Sequence, residues 1–492
     1  MKKVWNMRSA FCKNDEVLNT VKKIDPSKNP LYSTDDVGNG RLFADVFGDV
    51  CRYNVTTKEF SIYDGKRWKR DEGSMIAERL AKRLAKSLYL YAVDQDQHYR
   101  TFVNKLGDRN KRKIMIQDAR DFRFVSEEDF DRDPYLINLQ NGTLNLKTFE
   151  FRDHDPNDLL SKIANVVYDP DAISDDWIRF VDQVMQGDKS KIGYLQTIFG
   201  YSLTGLCIQD EFYLLYGSTT RNGKSTMLTT IGYVMGDYGQ IMSPDALAQR
   251  QRSNPNNEEL ADLRGTRFVH IEEPSKHMIL DSALVKNLTG HTPIKTSRKY
   301  EHTMTFDPEF KIFIATNYLP TVTDDTLFSS ERVKVVTFDR HFESSEQDRT
   351  LITRLKSRPN VSGIFKWMIE GLHTFYDHGT IPPTSVIEAS NQYRSQSDKI
   401  GNFIEECLSE DTTGGISGKT AYMYFMLWCR SNGYRCENKK NFFQYLKQKE
   451  LLQNTATIDG KTVRNVITGY ALNEDAVKPL TKDNADTVFG KS

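Results

Sequence analysis

Short apolar runs and helical repeats of apolar residues alternate between residues 212 and 338, and this alternation predicts a parallel α/β core. The run FYLLY is a compact buried strand, and after Lys224 apolar residues recur at helical spacing until Gly236. These are Met227, Leu228, Ile231, Val234 and Met235. Further apolar strands follow in GTRFVHIEE, FKIFIATN and ERVKVVTF. The expected fold class is therefore α/β, with a parallel sheet and flanking helices.

The pattern before this core is mixed and predicts an α+β domain. In CRYNVTTKEFSIYDGKRWKRDEG, β-branched and aromatic residues flank Asp64-Gly65, which predicts a hairpin. A helix with one apolar face follows. That face consists of Ile76, Leu80, Leu84 and Leu88. A second hairpin is expected in PYLINLQNGTLNLKT, with Asn141-Gly142 supplying the positive φ angles of a type I′ turn.

Helices resume after Phe338 and are interrupted by the loop-forming stretches GTIPPTSV and SEDTTGGISGK. The last part combines short helices with the hairpin TATIDGKTVRNVITGYAL, which turns at Asp459-Gly460, and this order fits a winged helix. The predicted domains are an α+β domain over 1–150, a helical collar over 151–205, the core over 206–345, a helical segment and linker over 346–398, a winged-helix-like domain over 399–475 and a flexible tail over 476–492.

Length and charge limit the classes of protein that fit this pattern. A chain of 492 residues is too long for one ordinary core, and Lys+Arg and Asp+Glu both number 67, so no bulk positive field draws the whole protein to nucleic acid. Any site for a polyanion must therefore be a local groove or channel. A membrane-spanning helix needs about eighteen consecutive apolar residues, and no stretch of the chain approaches that length. The six cysteines form no Cys-x-x-Cys pair. We expect ordinary thiols and a cytoplasmic protein with no membrane partner.

The stretch LYGSTTRNGKSTML is a candidate phosphate-binding loop, because it lies between a predicted strand and a predicted helix. The strict form G-x-x-x-x-G-K-[ST] requires a glycine where this chain has Ser218, and Gly217 stands one residue too early. Gly223 lets backbone N–H groups approach phosphate oxygens, Lys224 supplies a positive charge, and Ser225 supplies a hydroxyl for Mg²⁺. The alternative is a chance Gly-Lys-Ser-Thr in a turn. The candidate ATP-binding residues are Gly217, Ser218, Thr219, Thr220, Arg221, Asn222, Gly223, Lys224, Ser225 and Thr226.

Polar residues stand at the ends of the next predicted strands, where a nucleotide hydrolase needs them. GTRFVHIEE ends in two carboxylates, one of which could hold the hydrated Mg²⁺ with Ser225 and the other polarise the attacking water. We assign Glu272 to the metal and favour Glu273 for the water, although the sequence does not decide between them. Asn317 ends FKIFIATN and is a candidate for holding the water or the γ-phosphate, or a turn residue. Arg332 begins the next strand, either as a finger reaching the ATP of a neighbouring subunit or in a surface salt bridge.

These motifs, in this order, resemble the superfamily 3 helicases of the AAA+ class, in particular the helicase module of phage and plasmid primase-helicases related to the poxvirus type. TTRNGKST is similar to their loop, including the one-residue departure, and LADLRGTRFVHIEE, LVKNLTGHTPIKTSRKYEH and KIFIATNYLP resemble their motifs B, B′ and C. YDGKRW and LQNGTLNLKT resemble the domain that precedes these helicases. The resemblance implies an AAA+ P-loop core, ATP and Mg²⁺ as cofactors, and a homo-oligomeric ring, usually a hexamer.

The stretch IKTSRKYEHTMTF alternates like a hairpin and places cations beside an aromatic ring. Positive charge suits a nucleic-acid backbone, and a ring face suits a base of a single strand. In the family that the chain resembles, the corresponding hairpin lines the central channel and grips DNA. The alternative is a solvated strand edge guarded by lysine. The candidate DNA-binding residues are Lys295, Arg298, Lys299, Tyr300 and His302.

The resemblance implies an ATP-dependent ring helicase that unwinds forked or origin DNA in the replication of a phage, plasmid or mobile element, in the cytoplasm of its host. Only about 40 residues precede the segment similar to the pre-helicase domain, so we expect a separate primase. Two other classes stay open, an origin-binding initiator whose ATPase remodels or loads, and a motor that moves duplex DNA without unwinding it. The basic, aromatic region near the C-terminus could bind duplex DNA or pack against the ring.

Overall fold

The structure is a computed structural model that describes residues 14–249, 258–276, 278–297, 303–322, 324, 326–432, 434, 436–458, 461–473 and 475–476. The chain forms two compact units. The first unit comprises Met1–Pro320 and Arg332–Val386, and the second comprises Thr321–Glu331 and Ile387–Ser492. The chain therefore leaves the first unit for one short stretch and returns before leaving it again. None of the helices in the described part of the chain combines the length and the hydropathy that a membrane crossing requires.

The N-terminal part of the first unit packs helices against a four-stranded sheet. Its helices are α1 (Asn14–Ile24), α2 (Asp36–Phe47), α3 (Met75–Ala92), α4 (Gln97–Asn104) and α5 (Arg109–Asp118), and its strands are β1 (Cys51–Asn54), β2 (Glu59–Tyr63), β3 (Trp68–Asp71) and β4 (Phe124–Val125). The strand order is β3-β2-β1-β4, with β4 parallel to β1. The hairpin predicted at Asp64-Gly65 is confirmed, with Gly65 at φ +94°, and Leu80, Leu84 and Leu88 are buried on α3.

A three-stranded antiparallel sheet follows, with strands β5 (Leu136–Leu139), β6 (Gly142–Asn145) and β7 (Phe151–Arg152). The expected hairpin forms, but the predicted type I′ turn is wrong. Leu139 pairs with Gly142, so the turn residues are Gln140 and Asn141, and neither Asn141 nor Gly142 has a positive φ. Gly142 is needed for a steric reason, because a Cβ at this position would overlap the carbonyl oxygen of Arg152 in β7.

The alternating region folds as predicted into a parallel sheet with flanking helices, which confirms the α/β class. In chain order the elements are α6 (Asp175–Val184), α7 (Lys189–Tyr201), β8 (Phe212–Tyr216), α8 (Lys224–Met235), β9 (Gly239–Ile241), α9 (Glu258–Ala261), β10 (Phe268–Glu272), α10 (Ser282–Thr289), β11 (Ile294–Thr296), β12 (Met304–Phe306), β13 (Lys311–Thr316), α11 (Thr326–Ser329), β14 (Val333–Thr337), α12 (Leu351–Leu355), α13 (Arg358–His378) and α14 (Thr384–Ser397). The sheet order is β14-β8-β13-β10-β9, and every pair is parallel. Strands β11 and β12 form a separate antiparallel pair.

The largest core of the first unit lies between this sheet and helices α6, α7 and α13. Aromatic rings from both layers fill it, among them Trp177, Phe199 and Phe313. Helices α7 and α13 cross so closely that neither Gly200 nor Gly371 has room for a Cβ. The parallel sheet is therefore fixed from one side by a tightly packed pair of helices.

The second unit contains α11 and the chain from Ile387, within α14, onward. Its further elements are α15 (Lys399–Cys407), β15 (Leu408–Ser417), α16 (Gly418–Ser431), α17 (Lys439–Gln448), β16 (Leu452–Ile458) and β17 (Lys461–Leu472). The three strands form an antiparallel sheet of order β15-β17-β16 over a core of Phe403, Phe425, Trp428 and Phe442. The predicted turn at Asp459-Gly460 lies outside the described residues.

The close crossing of α7 and α13 generates a stability prediction. A Cβ at Gly371 would overlap the carbonyl oxygen of Gln196, so Gly371→Ala forces the helices apart and should cost about 1–3 kcal/mol in the free energy of unfolding. Gly193→Ala is the matched control, because Gly193 lies in the same helix pair with nothing within 4 Å of its Cβ position, and it should gain about 0.5–1 kcal/mol of helix propensity. Urea unfolding measures both changes, and equal midpoints for the two variants would contradict the prediction.

Candidate functional site

The parallel sheet brings the ends of its central strands to one edge. Tyr216, the last residue of β8, lies beside Thr316 at the end of β13, and Glu272 at the end of β10 lies beside Ala315. Because the strands are parallel, the residues that follow them meet at this edge. The predicted phosphate loop, the acidic pair and the asparagine after β13 are therefore neighbours in space.

We call this edge of the sheet the Lys224 edge, because the ammonium group of Lys224 lies at its centre. Lys224 is only 5% exposed, and its Nζ donates to Oδ1 of Asn317 (2.8 Å), to Oδ1 of Asn222 (2.9 Å) and to the carbonyl oxygen of Gly217 (3.4 Å). Burial lowers the pKa of Lys224 to about 8, and the negative charge of Glu273 opposes this shift. A buried ammonium that contacts neutral oxygens is incompletely compensated, so the site favours an added anion.

Two left-handed backbone positions let the loop return to the start of α8. Gly223 has φ +87° and Arg221 has φ +58°. The Nδ2 of Asn222 donates to the carbonyl oxygen of Thr219 (2.6 Å), which closes the loop from inside. A Cβ at Gly217 would overlap the same amide of Asn222. The early glycine is therefore required at its own position, and the loop forms one residue longer than the strict consensus.

A segment after β14, not found by the sequence analysis, holds the outer side of the loop. The backbone N–H of Phe342 donates to the carbonyl oxygen of Arg221 (2.9 Å), and Nδ1 of His341 lies 2.8 Å from that of Thr220. Nη1 of Arg221 donates to Oγ of Ser344 (2.9 Å). Most of these contacts are to backbone atoms and depend on the pairing of β14 with β8, so no sequence motif marks them.

The two acidic residues have different surroundings. Glu272 is half-buried, accepts a hydrogen bond from Oγ1 of Thr229 (3.4 Å), and also accepts one from Ser225. Burial raises the pKa of Glu272, the two hydroxyl donors oppose this, and the charge of Glu273 adds to it. Glu273 is exposed, with φ +53°. The structure therefore brings Ser225 and Glu272 together, and the i, i+4 spacing of Thr229 from Ser225 on α8 was a signal that could have identified the second hydroxyl.

His270 is a buried titratable group within β10, a strand whose sequence pattern is otherwise apolar. It is 4% exposed in the middle of β10, and its Nε2 lies 3.8 Å from Oε1 of Glu272. Among the described residues its Nδ1 has no hydrogen-bond partner. Burial lowers the pKa of His270 to about 4, so the ring is neutral near pH 7 and contributes no charge to the acidic pair.

The structure does not bring Arg332 to the Lys224 edge. Arg332 precedes β14, and because β14 runs parallel to β8 it lies at the opposite end of the sheet. Its Nη2 donates to Oδ2 of Asp210 (2.6 Å) and its Nη1 to Oγ1 of Thr289 (2.9 Å). Its side chain is 15% exposed, and its Nε has no partner among the described residues. Within one chain Arg332 is therefore part of a partly buried ion pair.

The predicted hairpin is described only at its base. Strand β11 pairs with β12 so that Lys295 lies opposite Thr305, and the Lys295 side chain is exposed. Four of the predicted DNA-binding residues lie outside the described residues. These are Arg298, Lys299, Tyr300 and His302.

Family models match three parts of the chain. Residues 40–186 match a model described as D5 N terminal like, and residues 395–474 match one described as poxvirus D5 protein-like. Between them, residues 215–332, which carry the Lys224 edge, match a family of unknown function.

Curated viral proteins are similar to much of the chain. A protein of Acanthamoeba polyphaga mimivirus, named "Putative helicase L207/L206", is 26% identical over 373 residues, which cover 70% of this chain and 38% of that protein. A protein of Frog virus 3, named "Putative helicase 022R", is 26% identical over 270 residues, covering 51% of this chain and 28% of that protein. The chain thus spans well under half the length of these relatives. Among solved structures, the apo C-terminal region of NrS-1 matches with a TM-score of 0.48 and 10% identity, over 88% of this chain and 99% of that one.

The neutral, buried His270 predicts an acid-dependent loss of stability. The pKa of His270 is about 4 in the folded protein, whereas in the unfolded chain it takes the ordinary value of 6.5. As the pH falls from 6.5 towards 4, the unfolded chain therefore binds more protons than the folded protein does. Stability that is present above pH 6.5 is lost in this window, by about 2 kcal/mol at pH 5. His270→Phe should reduce the difference between urea midpoints at pH 7.5 and pH 5, with the exposed His98→Phe as control. An undiminished difference would contradict the burial of a neutral ring.

Proposed function

We propose that the chain is an ATP-driven DNA helicase of the poxvirus D5-like type, since two of its parts match the D5 N terminal like and poxvirus D5 protein-like models and its curated relatives are named as putative helicases. The observation that carries this proposal is the meeting of Lys224, Asn317 and Glu272 at one edge of a parallel sheet. A cation for phosphate, an amide for the reacting group and an acid for a metal are what nucleotide hydrolysis requires. The relatives named as helicases support the choice of DNA unwinding as the work that hydrolysis drives.

The loop would hold the phosphates of ATP through its backbone and through Lys224. The first N–H groups of α8 point out of the helix start, where they favour an anion. The ammonium of Lys224 would exchange the neutral oxygens of Asn222 and Asn317 for phosphate oxygens. Burial lowers the pKa of Lys224 to about 8 even though the charge of Glu273 opposes this shift, so a bound phosphate would keep this side chain protonated.

The acidic pair divides into two roles on the basis of its surroundings. Ser225 and Glu272 would hold Mg²⁺, because a hydroxyl and a carboxylate are the oxygen ligands that this ion takes. Bound Mg²⁺ neutralises charge on the phosphates. Thr229 orients Glu272 by its hydrogen bond. The exposed Glu273 would accept a proton from the attacking water, and Asn317 would orient that water.

Arg332 would act on the ATP of a neighbouring subunit. It lies at the opposite end of the sheet from Lys224, so it does not serve the site of its own chain. An arginine supplied in trans requires a head-to-tail interface, which closes into a ring. We propose an AAA+ ring of superfamily 3 type, a hexamer as in the family that the sequence resembles, in which the Asp210 ion pair holds Arg332 ready.

Single-stranded DNA would pass the hairpin formed by β11 and β12. The exposed Lys295 at its base contributes one positive charge, and the predicted tip would contribute Arg298, Lys299, Tyr300 and His302. Because Lys+Arg and Asp+Glu are equal in number over the whole chain, a polyanion needs such a local cluster. Rings and cations together suit a single strand, whose bases are free to stack.

A forked-DNA unwinding assay tests the proposal. The wild-type protein should separate the strands with ATP, whereas Lys224→Ala should not, because the phosphates lose their buried cation. Arg332→Ala should lose about a thousandfold in ATPase rate. Mixing it with Lys224→Ala should restore activity at interfaces where the intact Lys224 loop of one variant meets the intact Arg332 of the other. Lys189→Ala, which removes a surface lysine, is the control. If wild-type protein shows no ATP-dependent strand separation under any condition that favours oligomers, the helicase proposal fails.

The same assay separates grip on DNA from hydrolysis. Lys299→Ala and Lys295→Ala should lose unwinding and DNA-stimulated ATPase while nucleotide binding remains, because the proposed nucleotide contacts involve neither residue. Loss of nucleotide binding in these variants would instead assign the hairpin a structural role.

A second function, sequence-specific binding of duplex DNA, is favoured by the exposed face of α17. Phe442 and Leu446 point into the core of the second unit, so the opposite face of the helix is free for solvent or a partner. That exposed face carries Lys439, Lys440, Asn441, Gln444, Lys447 and Gln448. Lysines suit phosphates, and amide side chains suit the edge of adenine in a major groove. We propose that this winged-helix-like unit presents α17 to origin duplex.

Competition with random duplex tests this second function. Gln444→Ala should relax the preference for one duplex sequence by about 1–3 kcal/mol, whereas Lys447→Ala should weaken binding to all sequences and lower the salt dependence by about one charge. Fluorescence anisotropy at two salt concentrations measures both effects. If random duplex competes as well as every candidate origin sequence, the origin-binding function is wrong.

A further inference from the structure

The chain passes through the second unit between two residues of the proposed site. Asn317 and Arg332 belong to the first unit, and the stretch Thr321–Glu331 between them belongs to the second. This arrangement links the second unit covalently to a residue at each end of the parallel sheet. A change in the second unit can therefore reach the ATPase residues through this stretch.

An aromatic contact anchors helix α11 within the second unit. The ring of Phe328 meets that of Tyr393 edge to face, with centroids 5.0 Å apart and planes at 81°. Phe328 is 8% exposed, and Leu327 and Val322 are buried beside it. Edge-to-face pairs are favourable and directional, so this contact fixes both the place and the orientation of α11.

The connection from Phe328 to Arg332 is short and hydrogen-bonded. The N–H of Ser330 donates to the carbonyl oxygen of Thr326 (3.1 Å), and the N–H of Glu331 donates to that of Phe328 (2.9 Å). Glu331 has φ +55°, a left-handed conformation that a non-glycine residue rarely adopts. The carbonyl oxygen of Arg332 already accepts from β8 in the first unit. A displacement of α11 is therefore passed to Arg332 across a single strained residue.

Asn317, at the other end of the stretch, is better isolated from α11. Its Oδ1 is held by Nζ of Lys224 (2.8 Å), and Tyr318–Pro320 separate it from the second unit. The Thr316 hydroxyl accepts from the N–H of Tyr318 (3.0 Å), which ties the start of this linker to β13. Movement of α11 therefore acts chiefly on Arg332.

The anchor of α11 also has room to change. Phe328 and Val322 line a solvent-open cavity of about 70 Å³, together with Asp398 and Tyr445. Fully packed interiors hold side chains in one arrangement, whereas an open cavity beside a ring permits a second one.

We propose that Phe328, held by Tyr393, is a positioning residue for Arg332, and that the second unit thereby sets the ATPase rate of the neighbouring subunit. The inference rests on the proposed function of Arg332 in trans. It assigns to the second unit a control over hydrolysis that does not require it to touch the nucleotide.

Mixed rings identify the side of the subunit interface that a variant damages. Phe328→Ala keeps its own Lys224 loop but offers a misplaced Arg332, so alone it should lose about a hundredfold in ATPase rate. Lys224→Ala offers an intact Arg332, so its mixture with Phe328→Ala should hydrolyse ATP well above the sum of the two alone. Arg332→Ala offers no arginine, so its mixture with Phe328→Ala should stay at that sum.

Further variants keep the test independent of folding. Tyr393→Leu removes the ring that Phe328 meets, and it should show the same pattern of rescue. Phe328→Leu retains most of the apolar volume and should lose less activity than Phe328→Ala. Ile387→Ala, on the same helix as Tyr393 but 46% exposed, is the matched control and should behave as wild type. Thermal unfolding of each variant verifies that the units are folded.

The mixture of Arg332→Ala with Lys224→Ala separates failure of the inference from failure of the proposed function. If that mixture shows no rescue, an arginine in trans is wrong, and the inference falls with it. If that mixture is rescued, the proposed function stands, and the Phe328→Ala results decide the inference. The positioning role of Phe328 is overturned if Phe328→Ala alone loses no activity, if neither Lys224→Ala nor Arg332→Ala rescues it, or if both rescue it.

Discussion

The candidate site depends on the burial of one ammonium group. Lys224 is almost removed from solvent and donates its three hydrogen bonds to neutral oxygens, so its charge is stabilised less than it would be in water. Those oxygens come from the loop, from Asn222 that closes it, and from Asn317 after a neighbouring strand. The incomplete compensation explains why the pKa of Lys224 falls to about 8. The hydrogen bonds of the ammonium group hold the loop beside the end of β13, so the groups of the candidate site are arranged in advance.

The parallel sheet separates the chemistry into two ends. Residues that follow the strands form the Lys224 edge, whereas Arg332 precedes its strand and is held by Asp210 at the other end. A strand is rigid, so no rotation of side chains brings these two groups together within one chain. An arginine that takes part in hydrolysis must therefore meet the loop of another copy, and the geometry of one chain supports a proposal about an assembly.

Sequence patterns predicted four of the five strands of the sheet, because those strands are compact apolar runs with polar residues at or just after their ends, as at Glu272 and Asn317. Strand β9 was not predicted, because its sequence, Gly-Gln-Ile, is not an apolar run. Thr229 was within reach of the same reasoning, since helical spacing places it beside Ser225. The turn at Gln140 was mispredicted because the pair Asn141-Gly142 is typical of a type I′ turn. Gly142 is instead needed because the backbone of Arg152 in the paired strand leaves no room for a Cβ, and this contact is visible only in the folded sheet. The contacts of the loop with His341 and Phe342, and the membership of Thr321–Glu331 in the second unit, arise from tertiary pairing, so no local pattern carries them.

The second unit contains both the cationic face of α17 and the anchor of α11, so the two proposed functions are not independent. A duplex bound at α17 can shift the equilibrium between two positions of α11 only by as much as the binding free energy of the duplex differs between those positions. Linkage requires the reverse effect to have the same size, so a ring whose arginines are engaged should bind duplex with an affinity changed by the same factor. If both proposed functions hold, an initiator and a helicase would be two states of one molecule, and the short chain between Asn317 and Arg332 would be the element that both states share.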